Sequence, residues 1–139
     1  MIRNLKHLVF ALLVMSSSAS MATQLTVVVN VPATTPDGEK VCITGSHELL
    51  SDWSGAGVPL QETGPGLHQF HGEIPDGTML EFKFTRGSFA TVEKTAQGLE
   101  RPNRRLQIKG DAMVERAVVE AWADQAGSGA ANHSPMITG

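Results

Sequence analysis

The alternation across Leu80–Thr85 most tightly constrains how this chain can fold. Leu80, Phe82 and Phe84 fall on one side of an extended backbone, and Glu81, Lys83 and Thr85 fall on the other. A period-two pattern builds a sheet with one buried face; a helix would need its apolar residues spaced about three or four positions apart. Phe82 and Phe84 are therefore assigned to the core, and Lys83 is expected to point away from it. The pattern recurs in Gln24–Val31, where Leu25, Val27, Val29 and Val31 share one side.

Turn residues cut the rest of the chain into short extended pieces. Pro36, Asp37 and Gly38 separate the first strand from the Lys40–Gly45 stretch, and Gly64, Pro65 and Gly66 mark another reversal. Between them, a Ser46–Ala56 loop carries Trp53 and leads into a short extended Val58–Gln61 piece. Pro75, Asp76 and Gly77 form a turn, so Leu67–Ile74 and Met79–Arg86 are expected to pair as an antiparallel hairpin. Further strands are expected at Arg104–Lys109 and Val114–Trp122, with a short one at Thr91–Lys94. Val114, Val118, Val119 and Trp122 favour strand, although Ala, Glu, Met and Arg in Ala112–Asp124 also suit a helix. Short strands with Gly/Pro turns indicate an all-β fold: an immunoglobulin-like antiparallel β-sandwich of about seven strands.

The ends of the chain have a different composition. Arg3 and Lys6, an apolar run from Leu8 to Met15 and a small-residue stretch to Ala22 have the layout of a secretory signal peptide, 1–22, which predicts an exported protein, periplasmic or secreted. Residues 23–124 then form one domain, and the Gly-, Ala- and Ser-rich 125–139 reads as a flexible tail or linker. Removing Arg3 and Lys6 leaves 9 of the 11 basic residues against 14 acidic ones, a net charge near −5. That balance argues against phosphate-backbone binding, so no nucleic-acid partner is expected, and none in a membrane once the signal is removed. Arg101, Arg104, Arg105 and Lys109 are expected to decorate one solvated strand. Cys42 is the single cysteine and is expected to be a buried, inert thiol.

Three segments carry a resemblance: VPATTPDGEKVCITGSHELLSDWSGAGVPL, then IPDGTMLEFKFTRGS, then ERPNRRLQI. Together they resemble the family 20 starch-binding carbohydrate-binding modules and relatives found N-terminal to bacterial secreted hydrolases. The order is a strand, a Gly-containing loop with Trp, an aromatic-Lys-Phe strand and a Pro-Asn-Arg turn, spanning Thr23 to about Asp124. A sugar ring lays its C–H face on an aromatic ring while fixed polar groups take its hydroxyls. The resemblance implies that Trp53 stacks on sugar, that Lys83 donates to hydroxyls and that Asn103 completes the site. On the residues alone, Trp53 equally suits a core edge, Lys83 a plain surface position and Asn103 a turn-shaping role. A second tryptophan, usual before the Pro-Asn-Arg turn, is missing; between Ser88 and Pro102 the one aromatic is Phe89, a poorer platform or a core residue. The sequence has no tyrosine, on which the family's second site relies, so one shallow site is expected.

Catalytic motifs are absent: there is no G-x-S-x-G elbow, no H-E-x-x-H and no phosphate-cradling glycine loop with lysine. His68 and His71, three apart on a strand, face opposite ways, and His47 stands alone in a loop. The carboxylates Glu48, Asp52, Glu93 and Glu100 have no evident cleft in which to pair. No catalytic residue, metal or cofactor is therefore expected. Two readings follow: a module binding α-glucan polysaccharide or oligosaccharide, or an accessory sandwich without sugar affinity that spaces a downstream hydrolase, an esterase or phosphatase by family analogy.

Overall fold

The computed structural model describes residues 21–125. The expected signal peptide lies outside them apart from Met21 and Ala22, as does the expected tail apart from Gln125. The described chain runs β1 (Ala22–Asn30), β2 (Cys42–Gly45), a 3₁₀ turn (Glu48–Trp53), β3 (Val58–Pro59), β4 (Gln61–Gly64), β5 (Leu67–Pro75), β6 (Met79–Thr85), a second 3₁₀ turn (Phe89–Thr91), β7 (Glu93–Lys94), β8 (Arg104–Gln107), β9 (Ala112–Val118) and β10 (Ala121–Trp122). Seven of these strands have four residues or more. The segment that could have been helix is strand over Ala112–Val118 and Ala121–Trp122, with a helical turn only from residue 123.

Two four-stranded sheets, β4-β5-β1-β9 and β3-β2-β6-β8, carry the fold, and β10 pairs with β7 in a small third sheet. Alternation turns Leu25, Val27 and Val29 of the first sheet toward Ile43, Leu80, Phe82 and Phe84 of the second, and these side chains form one buried cluster with Trp122 and Ile108. The Phe82 and Phe84 rings meet edge to face with centroids 5.7 Å apart. This is the expected all-β sandwich, with Phe82 and Phe84 in its core.

Two expectations about strand pairing fail. Leu67–Ile74 and Met79–Arg86 do not form a hairpin: β5 pairs with β1 and β4 in one sheet, and β6 pairs with β2 and β8 in the other. Both edges of each strand are occupied, so the Pro75–Thr78 turn carries the chain across the sandwich instead. Gly77, at φ +95°, makes that turn, and its N–H donates to Ile108 O at 2.8 Å. The sandwich is also not wholly antiparallel, because β9 lies parallel to β1 along Gln24–Asn30.

The basic residues around Arg104 are not uniformly solvated either. Arg104 lies opposite Phe82, on the inner side of its sheet, and its guanidinium grips the fully buried Glu93 at 3.0 and 2.8 Å. It also donates to Val118 O at 2.7 Å and stacks over the Phe84 ring. Arg101 adds a contact to Glu93 at 3.4 Å, while Arg105 is largely exposed, as expected. Glu93 in turn accepts the Phe84 N–H at 3.1 Å, two residues past the last rung of the β6–β8 ladder. A second guanidinium, Arg86, is held by Asp124 at 2.9 and 2.8 Å and by Glu39 at 2.9 Å, over the ring of Trp122. Gln125 donates to Thr34 O at 2.8 Å.

Replacing Glu93 by Ala strands Arg104 and Arg101 beside the core, and the expected loss is about 3–5 kcal/mol of unfolding free energy, measured by urea denaturation. A Cβ at Gly45 would press on the Glu81 carbonyl oxygen and the Leu50 side chain. Gly45→Ala is expected to cost about 1–3 kcal/mol in the same assay.

Candidate functional site

The outer face of the β2–β6–β8 sheet gathers the candidate residues. Glu81 and Lys83, two apart on β6, share that face, with Arg105 opposite Glu81 and Thr44 opposite Lys83. Lys83 does turn away from the core, but it is not laid open to solvent as expected. It is 8% exposed, and its ammonium meets Glu100 of the connection between β7 and β8.

That connection is a small hairpin closed by a bridge between Lys94 and Glu100. Thr95 N donates to Leu99 O, Gly98 N to Thr95 O, and Leu99 N to Thr95 Oγ1, at 3.0, 2.8 and 3.0 Å. The result delivers Glu100 between two lysines: Lys83 Nζ meets Oε2 at 2.9 Å and Lys94 Nζ meets Oε1 at 2.7 Å. Hydrogen bonds from Lys94 and Lys83 hold the Glu100 carboxyl down at about 2, from an ordinary 4.5. Three residues on, Asn103 stands exposed, its amide donating to Glu81 Oε1 at 3.1 Å. The segment thus ties Asn103 and Lys83 to neighbouring positions of one strand face.

Trp53 arrives from the other side. His47 caps its 3₁₀ turn by accepting Leu49 N–H, buried Leu50 roots it, and Ser51 Oγ lies 3.2 Å from Thr44 Oγ1, next to Lys83 in register. Ser51, Asp52 and Trp53 all have positive φ, at 66°, 47° and 65°, a run of left-handed residues that costs roughly 1–2 kcal/mol each without glycine. The contacts that hold this run leave Trp53 half-buried, neither sealed in the core nor fully free. Phe89 is 48% exposed, so it is no core residue; its ring packs on Gly55, where an added Cβ would come within 2.9 Å of it.

The four candidates therefore lie on three loops, those that carry Trp53, Phe89 and Asn103, and on strand β6 with Lys83. Sequence reasoning missed the partners, Glu81 for Asn103 and Glu100 for Lys83. Glu81 was legible as the i−2 neighbour of Lys83 on one face, whereas Glu100 depended on a loop closure that spacing alone does not reveal. Glu93 has both oxygens engaged by arginines and a backbone N–H, which removes it as an acid or base.

Elsewhere, a cavity of about 800 Å³ opens between 31–39 and 62–68, lined among others by Pro32, Thr35, Asp37, Glu39, Glu62 and His68. None of the four candidates borders it. His68 is buried there with its Nδ1 unpartnered, and burial pushes its pKa below the usual histidine range. His71, facing the opposite way, is exposed and lies 3.1 Å from both Thr26 Oγ1 and Gln69 Oε1. Cys42 is free and buried, and burial raises its thiol pKa. Among the described residues, no group of three His, Cys, Asp or Glu is placed to hold a metal, and no helix is long and apolar enough to cross a membrane.

Comparison with known proteins supplies the remaining evidence. An alpha-amylase of Niallia circulans is 34% identical over 106 residues, covering 75% of this chain and 8% of its own length. An amylopullulanase of Thermoanaerobacter thermohydrosulfuricus is 29% identical over 99 residues, covering 69% of this chain and 7% of its own. The chain thus spans less than a tenth of the curated relatives it matches. In structure it is similar to a family 15 glucoamylase from Hypocrea jecorina, with TM-score 0.60 and 18% identity over 74% of this chain and 18% of that one. A gamma-CGTase from alkalophilic Bacillus clarkii gives 0.58 and 23% over 70% and 15%. At those identities the likeness shows the fold, and the family is shown by residues 24–118, which match the starch binding domain of carbohydrate-binding family 20. The chain belongs to that family, and its described domain is a carbohydrate-binding module.

Proposed function

We propose that this module holds α-glucan chains in one shallow site, with Trp53 as stacking platform, Lys83 and Asn103 as donors to sugar hydroxyls, and Phe89 at the rim. The observation that carries the reading is the strained, well-anchored loop that leaves Trp53 partly exposed and is fastened, through Ser51 and Thr44, to the strand pair that carries Lys83, in a chain of the starch binding domain family. An aromatic face flanked by fixed polar groups is the chemistry a glucose ring requires. The site performs no reaction: it concentrates its partner on a polysaccharide by adding a second, non-catalytic contact. Nothing found favours the spacer reading over this one.

The module works, in this reading, as part of an exported protein that carries a hydrolase. The relatives are named alpha-amylase and amylopullulanase, so an α-glucan hydrolase is a better-supported neighbour than the esterase or phosphatase expected from the sequence. The basic start of the chain and its apolar run, 3–15, support export.

In affinity electrophoresis through starch, the parent chain is expected to be retarded, Trp53→Ala to lose about tenfold or more in affinity, and Lys83→Ala and Asn103→Ala several-fold. An unretarded parent would sink the reading. Glu100 adds a pH expectation. Its carboxyl titrates lower in the folded chain than in the unfolded one, so the stability it lends is present above about 4.5 and is lost as pH falls through about 2. Its side-chain carboxyl NMR shift should stay flat from neutral pH to about 3.5 and move near 2.

A further inference from the structure

We infer that Glu100 is a positioning and specificity residue: it clamps the Lys83 ammonium beside the proposed glycan site and offsets the charge of the Lys83–Lys94 pair, so that the site favours neutral glucans over sulfated or phosphorylated ones. The inference rests on the α-glucan reading above and extends it to a residue that touches the lysine rather than the sugar.

Three observations carry it. The first is burial: the Lys83 side chain is 10% exposed, so its stem is held in place while its ammonium reaches the exposed Glu100 carboxylate. A lysine ammonium without that counterion would attract any anion that reached it. The second is the sharing of one carboxylate between two ammoniums, one on each oxygen, at 2.9 and 2.7 Å. Glu100 therefore fixes the direction of Lys83 through one N–H. Among the described residues the other two N–H groups meet no side-chain or backbone acceptor, which leaves them for hydroxyls. The third is that the carboxylate is built in: the backbone bonds of the 94–100 hairpin set where Glu100 starts, and Lys94 holds its far oxygen.

Charge across the face follows the same design. Glu81 offsets Arg105, at 3.9 Å, and Glu100 stands against Lys83 and Lys94, leaving one net positive charge instead of two. Without Glu100, the ammoniums of Lys83 and Lys94 would face the same space uncompensated. That is an anion-binding arrangement, and sulfate or phosphate esters on a polysaccharide would outcompete neutral hydroxyls for it.

The test compares the full chain with Glu100→Gln and Glu100→Asp by calorimetric titration of maltoheptaose and of dextran sulfate, with neutral dextran as control. Circular dichroism melting checks that the variants fold; Glu100 is 70% exposed, so melting within about 3 °C of the parent is expected. E100Q should bind maltoheptaose about three- to tenfold more weakly and gain binding to dextran sulfate that fades with added salt. E100D keeps the charge but shortens the reach, so it should weaken maltoheptaose binding while still rejecting dextran sulfate. A lysine ammonium NMR signal from Lys83, protected in the parent, should vanish in E100Q. The inference is overturned if E100Q matches the parent with both ligands, or if it loses maltoheptaose without gaining dextran sulfate. If the parent ignores maltoheptaose, the α-glucan reading falls, while the dextran sulfate arm and the ammonium signal still decide whether Glu100 neutralises Lys83.

Discussion

The buried pair of Glu93 and Arg104 is the contact on which the rest of this sandwich leans. One carboxylate ends the β6 ladder by taking the Phe84 N–H, anchors β8 through a two-pronged guanidinium, and lies in register with Trp122 on the closing strand. Arg104 completes the junction by reaching Val118 O on β9. Five strands, β6 to β10, thus meet at one ion pair. Such a pair is costly to desolvate, and its worth lies in satisfying both Glu93 oxygens and the Phe84 N–H at a place where the β6–β8 ladder runs out. Because Glu93 and Arg104 are the two feet of the connection that carries Glu100 and Asn103, the polar half of the proposed site stands on this pair.

Local pattern and long-range pairing were not equally legible in the sequence. Phe82, Phe84, Leu25 and Val27 declared their burial through period-two alternation, which depends on a few neighbouring residues and survives any choice of partner strand. The Pro-Asp-Gly turn marked a reversal equally clearly, but turn chemistry fixes only the local bend and cannot tell a hairpin from a crossing between sheets. That choice was made by competition for edges: β1 and β4 flank β5, and β2 and β8 flank β6, so the two strands had no edge left to share. Arg104 was misplaced for a related reason. In a run of basic residues a solvated face is the ordinary outcome, and only the buried carboxylate eleven positions earlier makes the inner face tolerable.

The site shows the same division. Trp53, Lys83 and Asn103 were named from the residues and a resemblance, and the fold places all three on or beside one sheet face. What the residues did not disclose is how thoroughly the polar members are already engaged: Lys83 with Glu100, and Asn103 with Glu81. A binding surface whose donors are pre-paired gives up less conformational freedom when a ligand arrives, which suits a shallow site with few contacts to spend.

The parallel pairing of β1 with β9 governs how this module transmits load. Parallel neighbours begin and end at the same sides of a sheet, so the chain comes in near Ala22 and goes out near Gln125, which is fastened to Thr34 just past the far end of β1. A nine-residue strand is about 30 Å long, and entry and exit are separated by roughly that distance. Tension applied between the two ends of the described domain would pull β1 and β9 past each other along their length. All rungs of that ladder would then bear force together rather than opening one at a time.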